Sequence, residues 1–440
     1  MNEERTADYT ARLARMIACQ TVSSRKESGE SFCRFRALLR EEFPHLFGVA
    51  EYEDFDGSFL LVLRGGGERE PILLMNHHDV VEAEGCWSHP PFAGEVADGR
   101  IYGRGTLDTK GGLFAMLQAA DELVHEGYTP PRDIYFMSTC NEEIGGAGAE
   151  LISRTLASRG VRFALVLDEG GMILCEPIGG AKATYAMIGV GEKGYADIKF
   201  TARSRGGHAS TPGKNTPLVR LGKFMAAVEK KPPFGKKISP TVCEMFVRLS
   251  KSMRGPVRFL LAHPRLFAPL LKAVMPAVSD TAGAMLRTTV AFTMASGSAS
   301  ANVLPQEASV VCNMRYSHHQ GGEESIAALT RLAEKFDLEV TVLNPGFPSP
   351  LSSHGSAGFR LVEEAVGVAY PQAKTSPYVM TAASDCRFMS RVSDCCLRFA
   401  PFHISGEQMA SVHAIDENLD VATLAPAVDF YRHILKNTTL

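Results

Sequence analysis

Five short stretches of the chain place metal-binding or proton-transferring side chains at the ends of apolar runs or close to the C-terminus. Leu74-Met75-Asn76-His77-His78-Asp79 closes an apolar run on His-x-Asp. An imidazole binds a metal through one nitrogen while a nearby carboxylate fixes its tautomer, so His77 as ligand and Asp79 behind it is a sensible division of labour. Taken alone, a histidine at a strand end is more simply satisfied by hydrogen bonds. Gly103-Arg104-Gly105-Thr106-Leu107-Asp108-Thr109-Lys110-Gly111-Gly112 follows, with Asp108 just before a helical stretch and glycines that let backbone crowd a centre. An N-cap is the ordinary reading of such an aspartate, and the spacing is not that of a phosphate loop.

Two adjacent acids, Glu142 and Glu143, come directly after the apolar run 134–138. Burying them is costly unless a cation awaits them, and a solvated turn is the alternative. The run 163–167 leads into Asp168-Glu169-Gly170-Gly171, and near the C-terminus Val412-His413-Ala414 precedes Asp416-Glu417-Asn418. Brought together, His, Asp, Glu-Glu, Asp and a late His form a set suited to zinc. Two such ions bridged by a carboxylate polarise a carbonyl and lower the pKa of a water towards ~7, and a spare carboxylate serves as general base.

Strand ends of a largely parallel sheet deliver side chains in this way. Apolar runs at 59–63, 72–75, 134–138 and 163–167 alternate with helical stretches such as 113–126, which predicts an α/β domain with helices over both faces. From about residue 192 the pattern changes to alternating strands at 195–202, 288–294, 308–314 and 338–343, with helices at 218–228 and 323–336. The expected organisation is a catalytic domain in two parts, 1–191 and 347–440, with an α+β domain inserted at 192–346.

The apolar segment 257–278 carries Pro264, Pro269 and Pro276 as well as Arg258, His263, Arg265 and Lys272, which excludes a spanning helix and stable membrane insertion. It reads as buried short helices, which would thicken the core of the inserted domain, as an apolar substrate wall or lid, or as a membrane-surface contact.

Composition narrows the function classes. The 440 residues are 45% hydrophobic and 22% charged with a net charge of -3, so no basic field for nucleic acid is present and two domains are expected. Charged residues run through the first twenty positions, where an export signal needs an apolar stretch. Ten scattered cysteines without a CxxC pair read as free thiols. Both features point to the cytoplasm.

In order and spacing, His77-x-Asp79, Trp87-Ser88-His89-Pro90-Pro91-Phe92, Asp98-Gly99-Arg100-Ile101-Tyr102-Gly103-Arg104-Gly105, Asp108-x-Lys110-Gly111-Gly112, Glu142-Glu143 and Gly207-His208-Ala209-Ser210 resemble the aminoacylase and carboxypeptidase G family of dizinc metallopeptidases. The resemblance implies a zinc-peptidase catalytic domain with an inserted dimerisation or lid domain. It implies two zinc ions, with cobalt or manganese as alternatives, one held by His77 and Asp168, the other by Glu143 and His413, with Asp108 bridging. Glu142 becomes the base that deprotonates the water and later protonates the leaving amine, and Asp79 orients the site. His208 becomes the histidine that reaches into the partner's site of a homodimer to hold the oxyanion, and Asn302 and Arg315 match positions that grip a substrate carboxylate.

Two departures stand out. Glu169 beside Asp168 leaves that ligand ambiguous by one position, with Asp168 favoured, and the loop 381–387 replaces a more usual glycine-threonine version. Asp-Glu-Gly-Gly at 168–171 and the apolar segment are most similar to the carboxypeptidase S branch, which includes glycyl-peptide carboxypeptidases and hydrolases of N-fatty-acyl amino acids. Either substrate is a small molecule with a free carboxylate on the amine side of the amide. A catalytically silent binding protein of the same fold would lack the base or the bridge, and both Glu142 and Asp108 are present.

Overall fold

The computed structural model describes residues 2–23, 29–278, 280–346 and 349–436. Its larger part is built on a ten-stranded sheet. Strand Ile72–His77 lies at the centre, parallel to Ile134–Thr139 on one side and to Leu165–Asp168 on the other, and Cys396–Arg398 continues the parallel run. Ser58–Leu63 and Glu51–Phe55 add antiparallel strands at one edge. Every residue of Ser58–Leu63, Ile72–His77, Ile134–Thr139 and Leu165–Asp168 is buried, as continuous apolar runs require when helices cover both faces.

Alternate side chains divide between the two layers. Ile72 and Leu74 face the core formed with helices Asn2–Ala18, Lys110–His125 and Leu424–Lys436, whereas Leu73 and Met75 face the smaller core under helix Gly148–Ser158. With its sides filled, the sheet leaves the C-terminal ends of its parallel strands, carrying His77, Thr139 and Asp168, as the place where polar groups gather.

A second, four-stranded antiparallel sheet runs in the order Thr289–Ser296, Glu307–Tyr316, Gly194–Arg203, Glu339–Asn344. Helices Pro217–Lys230 and Gly321–Glu334 share its core through Leu221, Phe224, Leu329 and Ala333. The chain passes between the sheets at Lys193, the one residue separating strand Thr184–Glu192 of the large sheet from Gly194–Arg203. The expected return boundary after residue 346 meets residues 347–348, which lie outside the described residues.

The apolar segment corrects the reading of a thicker core for the inserted part. It forms helices Gly255–Ala262 and Ala268–Val278, flanked by Pro240–Ser250 and Asp280–Leu286. Val242, Met245, Phe246 and Leu249 repeat at helical spacing and pack, with Leu261, Leu271 and Met275, on Tyr185 and Met187 of the large sheet. These helices therefore extend the large sheet's cover rather than the small sheet's core.

Candidate metal centre

The strand ends converge as their spacing predicts. His77 donates Nδ1–H to the carbonyl of Asp79 at 2.9 Å, which leaves its Nε2 facing Asp108 Oδ1 at 3.0 Å. The other oxygen of Asp108 lies 3.0 Å from His413 Nε2, and that nitrogen is 3.2 Å from Glu143 Oε2. Asp108 thus stands between two imidazoles, and His77, Asp108 and Glu143 present donor atoms within 4.8 Å of one another. His413 holds its position with φ of 62°, a left-handed conformation that a non-glycine residue adopts at a cost.

Asp79 works from behind. Its carboxylate accepts the backbone N–H groups of Glu142 and Glu143, each at 3.1 Å, and the Ser23 hydroxyl at 2.5 Å. Asp79 therefore sets the His77 tautomer through its carbonyl and the course of the Glu142-Glu143 turn through its carboxylate. Gly111 and Gly112 let the helix after Asp108 approach closely, since an added Cβ would meet Thr106 O at 2.3 Å and Asn76 Oδ1 at 2.6 Å.

After Leu165–Asp168 the two adjacent acids are placed differently, and Glu169 is the one that faces the cavity. Asp168 accepts backbone N–H groups from Glu169 and Cys386, both at 2.9 Å, so its two oxygens are engaged in holding the chain. Glu169 instead lines the cavity beside His77, Asp108, Glu142, Glu143 and His413. Adjacent residues leaving a strand point to opposite sides, and a sequence alone does not say which of the two faces the opening.

The centre carries more negative charge than its histidines offset. Burial, reinforced by neighbouring carboxylates, pushes Glu142 and Glu169 well above the carboxylate range, and burial with Asp385 nearby brings Asp168 up to about 7. Burial opposes ionisation of Asp108 too, but hydrogen bonds from His413 and His77 outweigh it and hold this carboxyl low. Hydrogen bonds to Asp108 and Glu143 raise His413 to about 10. Glu143 Oε1 is buried without a hydrogen-bond partner. Oxygen and imidazole donors at this spacing, with an orphaned carboxylate oxygen among them, fit divalent cations.

Sequence reasoning left several positioning groups without a task. Glu417, fully buried, binds Arg104 Nη1 at 2.8 Å and accepts the amides of Leu107 at 2.8 Å and Asp108 at 3.2 Å, so it holds the bridging aspartate's loop. Residues 381–383 of the departing loop line the cavity, and the next residue, Ser384, is anchored by N–H and O–H donation to Glu192. Arg398 pairs with the same oxygen of Glu192 at 3.0 Å. Lys110 and Lys193 are buried structural lysines that burial brings down to about 7: Lys110 donates to the carbonyls of Met16 and Cys19, and Lys193 to those of Ala284 and Arg287 and to the Thr289 hydroxyl.

The remaining expected residues are not brought to the centre. His208 is exposed on the ribbon Gly207–His208, paired with Val303–Leu304, where its Nδ1 meets the Ser210 hydroxyl at 2.7 Å. Asn302 is exposed beside it and accepts the Ala209 amide through its carbonyl. Arg315, on Glu307–Tyr316, lies over the Tyr195 ring with Nη1 buried and unpartnered, and Arg387 approaches the same ring.

A parallel sheet that brings His77 and carboxylates at its strand ends against Asp108 and His413 around a cation-sized gap defines a metallohydrolase. Residues 73–437 match the profile of peptidase family M20/M25/M40, and the chain belongs to that family. It is 32% identical to a probable carboxypeptidase S-like 2 of Dictyostelium discoideum, over 98% of this chain and 85% of that protein. It is also 32% identical to the human N-fatty-acyl-amino acid synthase/hydrolase PM20D1, over 99% of this chain and 88% of that one. In fold it is similar to the M20 family metallo-carboxypeptidase Sso-CP2 of Sulfolobus solfataricus, with a TM-score of 0.70 at 17% identity over 97% and 98% of the two chains. The protein is therefore a metallopeptidase-type amidohydrolase of the carboxypeptidase S branch.

Proposed function

We propose that this enzyme hydrolyses the amide of an N-acyl amino acid with a long apolar acyl chain, using two zinc ions, with cobalt or manganese as alternatives. The observation that carries the substrate is the cavity opening on the centre. It has a volume of about 680 Å³, and Met172, Leu174, Met187, Met245, Met285 and Met380 line it. Flexible thioether side chains suit an apolar chain of variable length better than the compact side chain of a dipeptide. The wall includes Met245, Thr281 and Met285, from the helices on either side of 257–278, while no residue of that segment is among those lining the cavity.

His77 and Glu169 are the proposed ligands of one ion, Glu143 and His413 of the other, with Asp108 between. Such a pair supplies Lewis-acid polarisation of the scissile carbonyl and a lowered pKa for the attacking water. Glu142, in the cavity and unattached to either histidine, takes the proton of that water and delivers it to the leaving nitrogen. Arg315, with Arg387 across the Tyr195 ring, is the proposed grip on the substrate carboxylate, and the unpartnered Nη1 of Arg315 supports this. Asn302 joins that grip. The exposure of His208 supports action in the centre of a second copy, as a homodimer would allow. Among the described residues no helix is long and apolar enough to cross a membrane, and all ten cysteines are free, which supports a reducing cytoplasm.

The test is hydrolysis by zinc-loaded enzyme of a long-chain N-acyl amino acid and of a glycyl dipeptide with the same C-terminal residue, beside Glu142→Gln. Faster, Glu142-dependent cleavage of the long chain is expected. Preference for the dipeptide would make the enzyme a carboxypeptidase, in keeping with its Dictyostelium relative's name, and cleavage of neither would remove the substrate assignment.

A further inference from the structure

The segment 257–278 leaves a surface that the chemistry of the centre does not use. Helices Gly255–Ala262 and Ala268–Val278 turn Leu261, Leu271 and Met275 inward, yet Val257, Phe259, Leu266, Leu270 and Val274 stand 51%, 56%, 71%, 46% and 43% exposed. At the helical period Leu270, Ala273, Val274 and Ala277 share one flank of the second helix, away from its buried stripe, and Lys272 lies on the other flank. Phe259 packs on Phe267, with ring centroids 5.6 Å apart, and so joins the two helices.

The charge around this apolar surface is mostly positive, the acid Glu244 beside Arg265 and Leu266 being paired with Arg248. From Met245 to Ser279 the sequence holds no Asp or Glu, while Lys251, Arg254, Arg258, Arg265 and Lys272 fall within it. The first four of these are exposed, and Lys236 extends the rim by donating to the carbonyl of Lys272 at 3.2 Å. Arg248, the other cation of the stretch, is engaged by Glu244 and Glu363. The rest of the molecule is acidic enough to bring the net charge to -3.

We infer that this face docks reversibly on an anionic lipid surface. Exposed aliphatic and aromatic side chains enter the boundary between headgroups and acyl chains, and the surrounding cations meet the anionic headgroups. Short proline-interrupted helices suit a surface that is lain upon rather than crossed. A second copy is a poorer occupant, because pairing two of these faces sets cations against cations. The acidic remainder of the molecule is repelled by the same surface, which fixes the orientation. Helix Asp280–Leu286, next along the chain, contributes Thr281 and Met285 to the cavity wall, so docking places the cavity beside the phase in which a long-chain substrate resides. That last consequence rests on the proposed substrate; the docking itself does not.

The experiment is co-sedimentation of the full-length protein with phosphatidylcholine vesicles and with vesicles that also contain phosphatidylglycerol. Expected is binding to the anionic vesicles in low salt, none to the neutral ones, and release in roughly 1 M salt, where the screening length is about 3 Å. Arg258→Glu/Arg265→Glu should lower the partition coefficient about tenfold or more, and Leu266→Ser/Leu270→Ser should weaken it independently of salt, with both variants melting at the wild-type temperature. Equal binding to neutral vesicles, binding unchanged in the folded variants, or no binding at low salt would each overturn the proposal. Self-association lost in the Leu266→Ser/Leu270→Ser variant without vesicle binding would assign the face to a second copy instead. No substrate enters the assay, so its failure leaves the hydrolase reading standing.

Discussion

At the scale of single residues, Glu142 and Glu143 are adjacent in sequence and are proposed for opposite duties. Glu143 is 3.2 Å from His413 and Glu142 faces open cavity, a division set by the turn that Asp79 holds through both amides. Replacing Glu142 with Gln should lower turnover by about 10²–10⁴, the usual worth of a positioned base, while metal content measured by elemental analysis stays unchanged. Asp168 and Glu169 form a second such pair. Glu169→Gln should lose bound metal. Asp168→Asn should keep it and instead lower the free energy of unfolding in urea by about 1–3 kcal/mol, because one of the two amides it holds loses its acceptor. Metal loss in Asp168→Asn with retention in Glu169→Gln would reverse the assignment.

At the scale of elements, the sequence was legible where periodicity carried the information. The buried runs at 72–75, 134–138 and 163–167 read as strands because nothing but a covered sheet hides such runs; the structure ends them two, one and one residues later, and begins the third at Leu165. Glu142 and Glu143 were visible as costly charges after the run 134–138, Asp79 through its place in His-x-Asp, and Asp108 only through the glycine-rich stretch around it. Less legible were strands Thr184–Glu192 and Lys374–Met380, whose glycines and proline blur the alternation, and the long-range partners of buried charges. Glu417 is the clearest case, since its pairing with Arg104 spans 313 positions. Glu417→Gln strips a buried cation of its counter-charge, and a loss of about 3–5 kcal/mol in urea unfolding is expected. The double change Arg104→Met/Glu417→Met should recover much of that stability but not activity, because the amides of Leu107 and Asp108 still lack their acceptor.

At the scale of the whole molecule, the centre is assembled from segments reaching from Ser23 to His413, so whatever occupies it ties the large sheet's layers together. Chelation followed by thermal unfolding should show a lower melting temperature that zinc restores, since a ligand at a hundredfold excess over its Kd adds about 2.7 kcal/mol per site. A melting curve indifferent to chelator would mean that the carboxylates are held by protonation alone. The small sheet meets this web at Tyr195, which Arg387 approaches, and at Lys193, which donates to the end of helix Asp280–Leu286 and to the start of strand Thr289–Ser296. That arrangement works as a lever with its latch on the same arm. A tilt of the small sheet, and with it of the ribbon that carries His208, should pull on the helix that bears Thr281 and Met285, so the reach of the histidine and the width of the proposed acyl wall are expected to change together. If the proposed acyl substrates bind there, a longer chain that moves the wall should be felt at His208, and chain length should then register in kcat as well as in KM.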